Sequence, residues 1–235
     1  MGAAHARALA PPVRAGLQGV LTVPVFPDPR ESTPEGVVAV GGDLRPETLR
    51  AAYRRGIFPW PHEGLPLLWF CPPRRAVLER ARLHLPRSLR AARKKPFAYT
   101  VDRAFRAVIE ACALSPRPGQ RGTWITPDMV AAYCRLHRLG GAHSVEAWEG
   151  GELVGGVYGV DAGGAFSGES MFHRRPDASK LALLHLLERL SARGLEWIDI
   201  QQLTPHLERL GARELAREEF LARWERELSS GRKLF

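Results

Sequence analysis

The stretch "HSVEAWEGGELVGGVYGVDAGGAFSGES" (residues 143–170) decides the fold class of this chain. Of the glycine pairs that punctuate its short apolar runs, Gly150-Gly151 and Gly163-Gly164 read as turns. Paired glycines accept the positive φ of tight hairpin turns, so the stretch predicts an antiparallel set of strands. Just downstream, "SKLALLHLLERLSARG" (Ser179 to Gly194) spaces its leucines at helical intervals and stops at a glycine. "WIDIQ" (Trp197 to Gln201) then reads as a strand, followed by a helix capped by Thr204 and Pro205 that ends at Gly211. A terminal helix is expected from Arg217 to Leu228. Antiparallel strands followed by helix, strand and helix describe an α+β domain.

Upstream, "TPDMVAAYCRLHRLG" opens with Thr126 as N-cap and Pro127 as first helical residue, and Gly140 ends it. "DRAFRAVIEACAL" (Asp102 to Leu114) has helical periodicity, and a helix is also expected between Pro46 and Gly56. Residues 57–75, "IFPWPHEGLPLLWFCPPRR", mix proline with aromatics and read as a packed connector between two domains. A chain of 235 residues, 45% hydrophobic, has room for one large domain or for a small domain beside a medium one. No run approaches the ~18 apolar residues of a membrane span, so no membrane partner is expected. Pro, Arg and Gln interrupt the N-terminus, which reads as a loose leader over about residues 1–20. Cys71, Cys112 and Cys134 form no CxxC pair, which suits a reducing cytoplasm.

Lysine and arginine together number 34 against 25 acidic residues, a net charge of +9. Only Lys94, Lys95, Lys180 and Lys233 are lysines. Arginine grips phosphate through a planar fork and stacks on bases, so this bias suits a nucleic-acid partner. A GC-rich coding sequence would give the same bias. Cys134, His137 and His143 are too few for a zinc site, so no metal is expected. There is no GxSxG elbow, HExxH or Walker A loop. No glycine lies between Gly168 and Gly194, where a backbone phosphate cradle would need one, so no cofactor is expected. Trp60 and Trp124, flanked by Gly and Pro, suit either core plugs or stacking platforms. Glu169 on an interior strand needs a partner. Asp199 and Gln201 share one strand face, which is either a wet edge or a functional pair.

Taken together, "GGDLRPETLRAAYRRGIFPW", "LHLPRSLR", "GTWITPDMVAAYCRLHRLGGAHSVEAW", "ELVGGVYGV", "FSGESMF", "ASKLALLHL", "IDIQ" and "HLERLGAR" form an ordered series from about Phe26 to Phe220. In this the chain resembles the bacterial leucyl/phenylalanyl-tRNA–protein transferases. The resemblance implies a small N-terminal domain (1–75) and an acetyltransferase-like (GNAT) domain (76–235). It also implies a reaction: Leu or Phe, with Met as a further candidate, moves from aminoacyl-tRNA to proteins with N-terminal Arg or Lys. The product is a degradation signal of the N-end rule pathway. By the same resemblance Trp60 and Trp124 would stack on the terminal adenosine, and Glu169 would bind the α-ammonium of the transferred amino acid. Asp199 and Gln201 would meet the incoming amine, Gln201 aiming it through its carbonyl and Asp199 fixing the amide and stabilising developing positive charge, with neither as nucleophile. Val157, Phe166, Met171 and Leu186 are the candidates for the apolar side-chain pocket.

Arg87, Arg90 and Arg93, within the basic stretch Arg74 to Lys95, are the candidates for the tRNA backbone track. The chain has "WFCPPRR" (Trp69 to Arg75) where the family has Trp-Trp-Ser-Pro-Asp-Pro-Arg, a departure expected to bear on local tRNA contacts. Ile200 replaces a usual Cys on the face opposite Asp199 and is expected to act in packing. A monomer is expected. The rival readings are an acyl-CoA N-acetyltransferase, which the missing glycine loop disfavours, and a non-catalytic RNA-binding module.

Overall fold

Residues 25–115 and 123–235 are described in a computed structural model of the protein, so the leader expected over residues 1–20 lies outside them. The first elements are β1 (Val37–Val40), α1 (Pro46–Arg54), β2 (Phe58–Trp60) and β3 (Leu68–Phe70). The three strands form an antiparallel sheet in the order β1-β3-β2, with Phe58 opposite Phe70 and Trp60 opposite Leu68. Much of the stretch expected as a connector is therefore a hairpin. Pro59 is tolerated because β2 lies at the sheet edge, where a missing N–H costs no ladder bond. Helix α1 begins at Pro46 as its pattern predicts, and it buries Leu49, Ala52 and Tyr53.

The larger sheet contains β4 (Arg74–Glu79), β5 (Ala98–Val101), β6 (Ala142–Glu149), β7 (Glu152–Asp161), β8 (Phe166–His173), β9 (Trp197–Gln201) and β10 (Arg213–Ala216). Its order is β10-β4-β9-β8-β7-β6-β5. Neighbours run antiparallel except β8 and β9, which pair in parallel with Ser167 opposite Asp199. Around it lie α2 (Arg87–Ala92), α3 (Phe105–Leu114), α4 (Pro127–Arg138), α5 (Ala178–Ser191), α6 (Pro205–Arg209) and α7 (Arg217–Ser229). The chain is thus a mixed α+β protein, with a small N-terminal sheet and a larger mixed sheet.

Gly150-Gly151 and Gly163-Gly164 sit in the turns the sequence predicts, all four at positive φ. The Thr126 hydroxyl accepts the Met129 N–H at 3.2 Å, capping α4. Helix α3 starts at Phe105, three residues later than the periodicity suggests. Asp102 has φ +60°, and its carboxylate accepts the Ser144 N–H at 2.9 Å and contacts His143 Nδ1 at 2.7 Å. Those contacts tie Asp102 to β6 and take it out of the helix. Strand β9 lies between β4 and β8 with all five residues buried, so its polar face is not a wet edge. Helix α7 ties the N-terminal part to the rest: Trp224 Nε1 donates to the Tyr53 carbonyl of α1 at 2.9 Å, and Arg30 bridges Glu218 (3.1 Å) and Glu225 (2.9 Å). Among the described residues, no helix is long and apolar enough to cross a membrane.

Candidate active site

An open cleft of about 260 Å³ forms where the small sheet meets the C-terminal end of β9. Four separate segments supply its principal side chains: Trp60 from β2, Trp124 from the approach to α4, Glu169 and Met171 from β8, and Gln201 from β9. Phe58, Ile200 and Leu207 complete the apolar wall. Trp60 and Trp124 are half-buried, so each presents ring surface to the cleft instead of plugging the core. Ile200, expected only in packing, meets the cleft. The backbone bends here because Gln201 has φ +54°, a left-handed conformation that costs about 1–3 kcal/mol outside glycine. The Asp199 carboxylate offsets part of that cost by accepting the Gln201 N–H at 2.9 Å.

Asp199 does not itself face the cleft. It is 0% exposed, and Arg75, 1% exposed, holds it with two parallel bonds of 2.7 Å from Nε and Nη2. Of the two parts expected of Asp199, meeting the amine and fixing Gln201, its place behind Gln201 suits the second. Burial works against the Arg75 charge, but the adjacent Asp199 carboxylate outweighs it, and the guanidinium pKa is raised. The guanidinium is sandwiched between the Phe58 and Phe220 rings, 4.5 and 4.6 Å from their centroids. The Ser167 hydroxyl passes this order forward. It has one hydrogen to donate, and Asp199 Oδ2 at 2.8 Å is closer than Glu169 Oε1 at 3.3 Å. Its oxygen in turn accepts from Gln201 Nε2 at 2.7 Å, and the same nitrogen donates to Glu169 Oε1 at 2.9 Å. Both amide hydrogens of Gln201 are thereby spent, and its carbonyl oxygen is left without a partner among the described residues.

Glu169 is half-buried by area, yet protein encloses it closely enough that desolvation pushes its carboxyl up to about 8. A hydrogen bond from tyrosine works against that rise, and the nearby Asp199 charge adds to it. The Tyr53 and Tyr133 hydroxyls share a short hydrogen bond, and Tyr133 contacts Glu169 Oε2 at 3.5 Å. Burial holds both phenols well above their usual range, so neither is a base here. Arg75, Ser167, Tyr53 and Tyr133 were not singled out from the sequence. Tyr53 and Tyr133 match the apolar stripes of their helices, and nothing near Arg75 marks it as the partner of a residue 124 positions away.

Of the four pocket candidates only Met171 lines the cleft. Val157, Phe166 and Leu186 are buried in the core, with Phe166 packed on Phe235 at 5.7 Å between ring centroids. Their positions demand apolar residues for packing alone. The "WFCPPRR" block is also largely structural: Trp69, Cys71 and Arg75 are buried, and Trp69 Nε1 donates to the Gly41 carbonyl at 2.8 Å. This removes them from tRNA contact. Arg87, Arg90 and Arg93 are exposed on and just after α2, and Arg93 pairs with Glu188. Among the described residues, no three His, Cys, Asp or Glu side chains converge as a metal site would need. His137 instead stacks on Phe105 at 4.3 Å.

Known proteins match this chain over most of its length. Residues 77–225 match the family described as leucyl/phenylalanyl-tRNA protein transferase, and residues 42–73 match the N-terminal domain of the same family. A protein of Anaeromyxobacter sp. (strain K) named leucyl/phenylalanyl-tRNA–protein transferase is 56% identical over 206 residues, 87% of this chain and 88% of its own. Proteins of the same name from Nitratidesulfovibrio vulgaris (strain DP4) and Myxococcus xanthus (strain DK1622) are 55% and 54% identical, each over 84% of this chain and 85% of theirs. At that identity and coverage, this chain belongs to the leucyl/phenylalanyl-tRNA–protein transferase family.

Proposed function

We propose that this protein moves leucine or phenylalanine, and also methionine, from aminoacyl-tRNA to the α-amine of proteins beginning with Arg or Lys. The modified chain then carries an N-end rule degradation signal in the cytoplasm. The observation that carries the reading is the convergence of Trp60, Trp124, Glu169 and Gln201 on one cleft from four distant segments. Stacking of the terminal adenosine on Trp60 and Trp124 contributes about 1–3 kcal/mol per base. The charge of an α-ammonium brought beside Glu169 favours the carboxylate, so the proton that burial had kept there is released to water and an ion pair remains. Met171, Phe58, Ile200 and Leu207 surround the amino-acid side chain. Apolar walls separate such side chains by only about 1–3 kcal/mol per methylene, which suits acceptance of Leu, Phe and Met together. Arg87 and Arg90 are the exposed cations assigned to the tRNA backbone. The parallel β8–β9 pair, joined through α5, supports an acetyltransferase-like framework for the larger sheet.

An acceptor α-amine has a pKa of about 7.7–8, so part of it is neutral at cellular pH. The ester of aminoacyl-tRNA is already activated. The amine attacks the ester carbon, the C–O bond to the ribose breaks as the amide forms, and the proton leaves through the ribose 2′-hydroxyl or water. An amide is far too weak a base to take that proton. The free Gln201 carbonyl instead accepts an N–H of the amine and aims its lone pair, and Arg75, Asp199 and Ser167 hold the amide in that pose. Placement of this kind is worth about 7 kcal/mol or more. Single-turnover transfer by Gln201→Ala is expected to fall about a hundredfold, the cost of slight misplacement, with aminoacyl-tRNA binding unchanged. A wild-type rate in that variant would remove the amide from the mechanism.

A further inference from the structure

A second hollow of about 190 Å³ adjoins the cleft and shares Phe58, Trp60 and Gln202 with it. Its remaining walls are Glu35, His62, Phe70 and Pro72. The Trp60, His62 and Phe70 rings cluster tightly, with centroids 5.8–6.1 Å apart. Glu35 is exposed and forms no ion pair with any described residue, in a chain of net charge +9. Its place is set by the next residue. Gly36 has φ +92°, and a Cβ there would lie 2.5 Å from Pro72 Cα, so the turn is pressed against the hollow's wall. Bonds from Gly36 N–H to the Thr33 carbonyl and from Cys71 N–H to the Gly36 carbonyl, both 2.8 Å, hold it there.

Aromatic rings with one unspent carboxylate form the chemistry that recognises a cation. A phosphate would meet repulsion from Glu35, and an apolar side chain would gain nothing from it. The nearby Arg75 charge lies against Phe58 and is already engaged by Asp199. Gln202 lines both hollows directly after Gln201, which links the two in space. We infer that this hollow receives the cationic side chain, guanidinium or ammonium, of the acceptor's first residue. The inference rests on the transfer reading above, since it places that residue's α-amine at Gln201. A planar guanidinium stacks on rings better than an ammonium does, so Arg is favoured over Lys.

The test has two independent readouts on the full-length protein. The first is equilibrium binding of argininamide and of uncharged citrullinamide, followed by tryptophan fluorescence. Wild-type protein is expected to favour argininamide about fivefold, and Glu35→Gln to abolish the preference. The second is steady-state transfer to an Arg-starting peptide. Glu35→Gln is expected to raise the peptide KM about fivefold, and Glu35→Lys further, with kcat and the aminoacyl-tRNA KM unchanged. Unchanged argininamide binding and peptide KM in both variants would overturn the inference. So would a change confined to the aminoacyl-tRNA KM, because the hollow would then face nucleotide. Glu35-dependent argininamide binding without any wild-type transfer would count against the transfer reading alone.

Discussion

At Glu169, desolvation lifts the carboxyl to about 8, so the folded protein keeps a proton that the unfolded chain releases near 4.5. Between those values the unfolded state holds fewer protons at this site. The stability tied to Glu169 therefore falls as pH rises through the window and levels off above about 8. Glu169→Gln has no such titration, so its thermal midpoint relative to wild type should climb from about pH 5 to about pH 8. A constant offset across that range would contradict the raised value. Arg75 makes a different prediction. Losing one partner of a fully buried pair strands the other charge, so Arg75→Met should cost about 3–5 kcal/mol in urea unfolding. Adding Asp199→Leu should restore much of that stability but not transfer, because the Gln201 backbone and Ser167 lose their anchor. A single variant as stable as wild type would show that the pair is not the site's support.

At the scale of elements, the site depends on how closely β7 and β8 approach. A Cβ on Gly159 would collide with the Ser167 carbonyl oxygen and lie 2.5 Å from Phe166 Cε1. Gly159→Ala should therefore part the strands, destabilise the fold by about 1–3 kcal/mol, and slow transfer by moving Ser167 and Glu169. An unchanged melting curve would show that β7 and β8 separate without cost. Elements with strong punctuation were legible in the sequence: the glycine-paired hairpins, the Thr126 cap, and the leucine-spaced α5. Strands β1, β5 and β10 were not, because four residues are too few to show a period of two. The β2–β3 hairpin was hidden by prolines that only an edge strand tolerates. The cleft residues Trp60, Trp124, Glu169 and Gln201 came from the family blocks, with periodicity only placing them on faces. Val157, Phe166 and Leu186 went astray because the wall of a pocket and the interior of a core demand the same apolar side chains.

Across the whole molecule, the site exists only because the two sheets meet. The small sheet and α1 bring Phe58, Trp60 and Tyr53 over the ends of β8 and β9, and Trp224, Arg30 and the Tyr53–Tyr133 bond clamp the two together. Phe58 also packs on Arg75 and so reaches the support behind Gln201. On the proposed reading, the tryptophans hold the donor, Gln201 aims the acceptor, the basic exterior takes the tRNA, and no enzyme nucleophile is used. The most direct test mixes the protein with leucyl-tRNA and a peptide beginning with Arg, and follows the products by mass spectrometry. The account predicts a peptide heavier by one leucine residue, joined at its α-amine, with no leucine left on the protein. Leucine found covalently on the enzyme, or no leucylated peptide, would contradict it.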